Sequence, residues 1–159
     1  MATIKKPKYE LIMEEFELKG QDGFLIIRIN EVFGFPNRTS HFGGYDCVVG
    51  IDIKVGGYNV RSQFYSSTGE LFDFYEKIKK CQTELNGLAE FNSYESNLEL
   101  TVKYIFGKVS IWGKYQENLA TDNIMEFDFN SDQSYLKNTV EQLNQIVNKY
   151  GGMQGIAKK

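Results

Sequence analysis

Residues 49–64 read VGIDIKVGGYNVRSQF, and this stretch decides the fold class. Val49, Ile51, Ile53 and Val55 alternate with Gly50, Asp52 and Lys54, the period-two pattern of a half-buried strand. Gly56-Gly57 stands where a two-residue hairpin turn needs positive φ. Tyr58, Val60, Ser62 and Phe64 then return along the other arm. Directly downstream, Ser67-Thr68-Gly69-Glu70 has the spacing of a capping box, with Ser67 as N-cap and Glu70 reaching back to it. Leu71, Phe74, Tyr75, Ile78, Cys81 and Leu85 recur at helical spacing until Asn86-Gly87, so a helix is predicted over 67–85. Cys81 lies on that apolar stripe and reads as a small buried hydrophobe rather than a reactive thiol.

Outward from the hairpin the same signals recur. Upstream, Glu15–Leu18 alternates, Gly20–Gly23 breaks the pattern, and Phe24–Phe33 resumes it with Leu25, Ile27 and Ile29 on one face. An irregular segment, Gly34–Gly44, follows. Downstream, Leu98, Leu100, Val102 and Tyr104 alternate with polar residues, and Gly107-Lys108 turns the chain. Val109, Ile111 and Tyr115 line the next strand, and Met125, Phe127 and Phe129 a further one. Ser131-Asp132 then caps a second helix, predicted over 132–150, with Leu136, Thr139, Val140, Leu143, Ile146, Val147 and Tyr150 as its stripe and Gly151-Gly152 as its stop. Both halves are thus strands followed by one capped helix, alike in pattern and hardly in residue identity. Strands in runs joined by short turns, with only two helices, argue for antiparallel pairing. The expected fold is an α+β domain of about seven or eight mostly antiparallel strands and two amphipathic helices. At 159 residues one domain is expected, spanning 9–152 between a basic N-terminal segment, 1–8, and a C-terminal tail, 153–159.

Composition narrows the chemistry. One histidine and two cysteines cannot build a His/Cys zinc site or a disulfide scaffold. A triad would have to pass through His41, which reads more simply as a residue ordering the irregular loop. There is no P-loop, dinucleotide fingerprint, metalloprotease motif or nucleophile elbow. The paired glycines fall at turns and a helix end, and Glu126 and Asp128 read as a solvated strand face. No catalytic residue, metal or cofactor is expected, and the protein is read as a non-enzyme.

Charge and aromatics suggest instead what the surface meets. Five of the 18 basic residues lie in 1–8 and 158–159, which hold no acids, leaving a body of 21 acids against 13 bases, a net of −8. Such a body repels nucleic acid and suits a basic partner. The chain shows neither a secretory leader pattern nor an apolar run long enough to span a membrane, so a cytoplasmic location is expected. Trp112 falls on the face opposite Val109 and Ile111, where it is either an exposed contact residue or core beneath a helix. Phe42 and Tyr45 sit in or beside the longest irregular segment. Exposed aromatics beside acids are what protein-binding surfaces use. The candidate partner-binding residues are therefore Phe42, Tyr45, Asp46, Trp112 and Asp122. A small-ligand or carbohydrate-binding module is the alternative, and it would need a concave pocket lined by aromatics such as Trp112, Tyr94 and Tyr115.

A series of short signatures adds a family. Glu31-Val32-Phe33-Gly34-Phe35-Pro36, Gly43-Gly44-Tyr45-Asp46 and Ser67-Thr68-Gly69-Glu70 occur in this order. Cys81 through Asn86-Gly87, Phe91–Leu98 and Ser131-Asp132-Gln133-Ser134 follow. Over about residues 14–152 the chain resembles the bacterial WapI-type immunity proteins. That resemblance implies a protein that binds and neutralises the C-terminal domain, often a tRNA-cleaving nuclease, of a large secreted contact-dependent toxin. It transfers no binding residue.

Overall fold

The computed structural model describes residues 14–156, so the basic segment 1–8, residues 9–13 of the expected domain and the last three residues of the expected tail lie outside the described residues. The first half comprises β1 (Glu15–Lys19), β2 (Gly23–Val32), β3 (Asp46–Val55), β4 (Tyr58–Ser67) and α1 (Thr68–Glu84). The second comprises β5 (Gly87–Asn92), β6 (Leu98–Ile105), β7 (Lys108–Tyr115), β8 (Met125–Asp132) and α2 (Gln133–Tyr150). The eight strands form two four-stranded antiparallel sheets, ordered β1-β2-β3-β4 and β5-β6-β7-β8. The fold is α+β, with one β-meander and one helix in each half.

The hairpin forms as its alternation dictates. Val55 pairs with Tyr58, Ile53 with Val60, Ile51 with Ser62 and Val49 with Phe64. Only Gly56 is left-handed, at φ 58°. The turn thus needs one positive φ, at its first central position, rather than two.

Each helix crosses to the other half's sheet. α1 lies along β5 and α2 along β1, so each covers the edge strand of the sheet it does not follow in sequence. A bare strand edge leaves N–H and C=O groups unpaired. Here Gln142 Oε1 accepts from the Glu17 N–H at 2.9 Å, and the Thr139 hydroxyl donates to the Glu17 carbonyl. The two helices are joined by Tyr75, whose hydroxyl donates to Asn144 Oδ1.

The inward faces of both sheets and both helix stripes enclose a single core. Phe64 of β4 meets Phe91 and Tyr115 across the sheets, and Phe74 of α1 meets Phe16 and Phe91. Leu136 and Leu143 are buried, whereas Val140 and Val147 are only partly buried against the core.

Two elements differ from the sequence-based reading. Leu85 is not the end of α1's buried stripe: it is the left-handed C-cap, at φ 57°, and is exposed. The chain then starts β5 at Gly87, a strand the periodicity did not reveal. Only Ala89 and Phe91 point inward there, while Leu88 is exposed, so its alternation is two residues deep.

Candidate functional site

The candidate residues lie in two regions of the structure. The first is built on the chain linking β2 to β3. Its backbone is fixed by the Arg38 N–H donating to the Gly34 carbonyl, Ser40 to Gly44, and Gly44 to Met153. Gly69, at the start of α1, packs so closely that an added Cβ would fall 2.4 Å from the Gly43 carbonyl carbon. Tyr45 was expected on the surface, but it is fully buried. Its ring packs edge-on to Phe35, and Phe35 in turn meets Tyr150. Its hydroxyl donates to the Pro36 carbonyl and accepts from the Ile156 N–H. Tyr45 therefore ties residues 151–156 and the irregular loop to the core, and has no ring face left for a partner.

Phe42 and Asp46, by contrast, are exposed. Phe42 stacks on Tyr94, from the β5–β6 turn, with ring centroids 4.1 Å apart, and His41 meets it edge-on. Asp46 accepts from the Ser40 hydroxyl at 2.6 Å. Beside them is a depression of about 220 Å³ lined by Phe42, Glu70, Asp73, Lys77, Glu90 and Met153. Glu70 closes the capping box, accepting from the Ser67 N–H and the Ser66 hydroxyl while its own N–H donates to Ser67 Oγ. Burial pushes its pKa up to about 7, and nearby Asp46 adds to that, against hydrogen bonds from Ser66, Ser67 and the Tyr94 backbone.

The second patch is the outward face of the second sheet. Trp112 is 40% exposed and is not core. The helices run along edge strands β1 and β5. In the sheet register Trp112 stands between Thr101 and Asp128, and Lys114 stands between Glu99 and Glu126. With Gly113 and Phe127 these residues line a depression of about 440 Å³. Lys114 pairs with Glu99 at 3.5 Å. Asp122 is exposed in the connection between β7 and β8. Phe42 and Trp112 thus line different depressions, and Glu90 and Asn92 of the first stand opposite Thr101 and Glu99 of the second in the β5–β6 register.

The aromatics proposed for a ligand pocket do not converge either. Tyr115 is buried and donates to Ser62 Oγ, Tyr94 stacks on Phe42, and Trp112 faces outward. Both cysteines are free and buried. Burial, helped by Glu70 and Asp46, pushes the Cys47 thiol up to about 12, and burial also raises Cys81, so neither is a poised nucleophile. Among the described residues no group of three or more His, Cys, Asp or Glu side chains is placed to hold a metal. Among the same residues, no helix is long and apolar enough to cross a membrane.

Sequence reasoning missed the Phe42–Tyr94 stack and the burial of Glu70, since both depend on the two halves meeting. The neighbours of Trp112 were partly visible. Alternation alone puts Trp112, Lys114, Glu126 and Asp128 outward, but which of them stand side by side depends on the register set by residues 116–124.

Compared with known families, residues 16–151 match the model of the Immunity protein WapI-like family. No curated protein and no solved structure matches the chain.

Proposed function

The chain belongs to the immunity protein WapI-like family, and from that premise we propose that it protects the cell that makes it by binding the C-terminal domain of a cognate secreted toxin. The binding is stoichiometric and non-covalent, and the toxin domain leaves the complex chemically unaltered. The toxin of this reading is a contact-dependent bacterial nuclease, met in the cytoplasm. The family match over nearly all of the folded chain carries the proposal, and the charge balance supports the nuclease. A nuclease is basic where it grips phosphates, so a partner whose body carries a net of −8 is steered to that region and excludes the nucleic acid.

The test is to purify the toxin domain encoded directly upstream of this gene and assay its nuclease activity with and without this protein. A one-to-one complex that suppresses activity, and releases fully active toxin when dissociated, is the expected result. Absence of a complex, or toxin recovered in altered form, overturns the reading.

A further inference from the structure

We propose that the toxin domain docks on the outward face of the second sheet, seating an arginine- or lysine-bearing segment over Trp112 beside Glu126 and Asp128. This rests on the immunity reading above and adds the surface and the chemistry of the partner group. The face is shaped for an insertion. Trp112 and Lys114 of β7 border a depression of about 440 Å³ together with Glu99, Thr101, Glu126 and Asp128. Its charge is unbalanced. Three carboxylates, Glu99, Glu126 and Asp128, line it with one cation, Lys114. Lys114 pairs with Glu99, and among the described residues Glu126 and Asp128 make no ion pair.

The first sheet has the same kind of outward face without the imbalance. There Glu15, Arg28, Asp52 and Arg61 form a continuous chain of ion pairs across four strands. On the second sheet, Glu126 and Asp128 line the depression beside an exposed aromatic and are left to be neutralised by something else. An exposed indole flanked by free carboxylates is a receptor for a cation: the ring face attracts it and the carboxylates accept its N–H groups. A guanidinium satisfies both at once. A phosphate-bearing ligand would be repelled.

Trp112 is the only tryptophan in the chain, which makes the test specific. Protein labelled with 5-fluorotryptophan gives one fluorine resonance, whatever tryptophans the toxin domain contains. Titration with the upstream-encoded toxin domain should shift that resonance. Trp112→Ala should weaken the complex by about 30-fold or more, as for a central aromatic anchor. Glu126→Gln/Asp128→Asn should slow association and flatten its salt dependence. Tyr65→Ala, an exposed aromatic on the first sheet, should leave affinity unchanged.

A complex that forms with the resonance unmoved, and with Trp112→Ala binding as well as wild type, overturns this surface and leaves the immunity reading standing. If unlabelled and labelled wild type both fail to bind, the immunity reading fails and the surface fails with it. A resonance that moves with a soluble oligosaccharide but not with the toxin domain overturns both in favour of a carbohydrate-binding module.

Discussion

Both sheets are four-stranded antiparallel meanders leading into a capped helix, yet they hold charge in opposite ways. On the first sheet Glu15, Arg28, Asp52 and Arg61 neutralise one another within the molecule. On the second the charged residues around an exposed tryptophan stay partly unpaired. The helix caps diverge too. α1 begins with a full capping box whose Glu70 is largely enclosed, while α2 begins at Asp132, whose carboxylate accepts from the Ser134 and Tyr135 N–H groups near the surface. One architectural plan used twice needs only one apolar pattern, so the polar positions of each copy are free to serve different ends. The first half spends them on internal order and the second turns them outward.

The comparison breaks most severely if the halves do not share a core. Leu71 of α1 and Leu143 of α2 are both fully buried in the same cluster. Leu71→Ala and Leu143→Ala should each cost ~2–5 kcal/mol, with one cooperative transition in denaturant. Unfolding in two steps, with only one half lost, would show two separate cores.

Next in size is the helix exchange. Thr139→Val keeps the volume of the side chain but removes the hydroxyl that satisfies the Glu17 carbonyl at the β1 edge. An unsatisfied buried acceptor costs ~1–3 kcal/mol. Hydrogen exchange should show β1 opening before β5, because β5 keeps its own helix in place. Equal exchange in both strands would mean that the hydroxyl adds nothing to docking.

How much of this was legible follows the range of each interaction. The helices were placed at 67–85 and 132–150 and run Thr68–Glu84 and Gln133–Tyr150, because caps and stripes are local signals. β5 was hidden by its neighbours: Leu85 continued the helical spacing, and Ala89 and Phe91 made too short an alternation to register. Tyr45 was misplaced because what buries it, Phe35, Pro36 and Ile156, comes from an irregular loop and the C-terminal segment, which carry no periodicity. Trp112 could be assigned a face but not a setting, since Asp128 reaches its side across a connection of irregular sequence.

The caps sharpen the comparison at smaller cost. Ser67→Ala and Asp132→Ala should each lose ~0.5–2 kcal/mol, the usual range for an N-cap. Ser67 should be the costlier, because its hydroxyl also donates to the Phe42 carbonyl and ties the first patch to the helix. Thermal melts of the two variants side by side decide this, and a larger loss at Asp132 would contradict it.

The smallest effect, and the most specific, is in pH. Glu70 and Asp132 both serve helix N-termini, yet their acidities move apart. Burial raises Glu70 from its ordinary 4.5 to about 7. Hydrogen bonding, first from the Ser134 side chain, lowers Asp132 below its ordinary 3.8. A raised carboxyl pKa means the folded state holds the proton more tightly than the unfolded chain. The stability Glu70 contributes is therefore fully present below pH 4.5 and is lost as pH rises through about 7. Asp132 has the opposite sign: its contribution is present above 3.8 and is lost on acidification. Glu70→Gln keeps a carbonyl oxygen to accept from Ser66 and Ser67 but cannot ionise, so the cap survives the substitution. Its stability relative to wild type should climb between pH 4.5 and about 7 and then level off. Asp132→Asn should instead lose ground to wild type as pH rises through the acid range. Solvent reaches part of the Glu70 carboxylate and screens it, which keeps the amplitude modest. Urea melts of the three proteins at intervals from pH 2 to 8 read both slopes. If Glu70→Gln instead fell behind wild type as pH rose, the hydrogen bonds of the box would outweigh burial, and the two caps would be electrostatically alike.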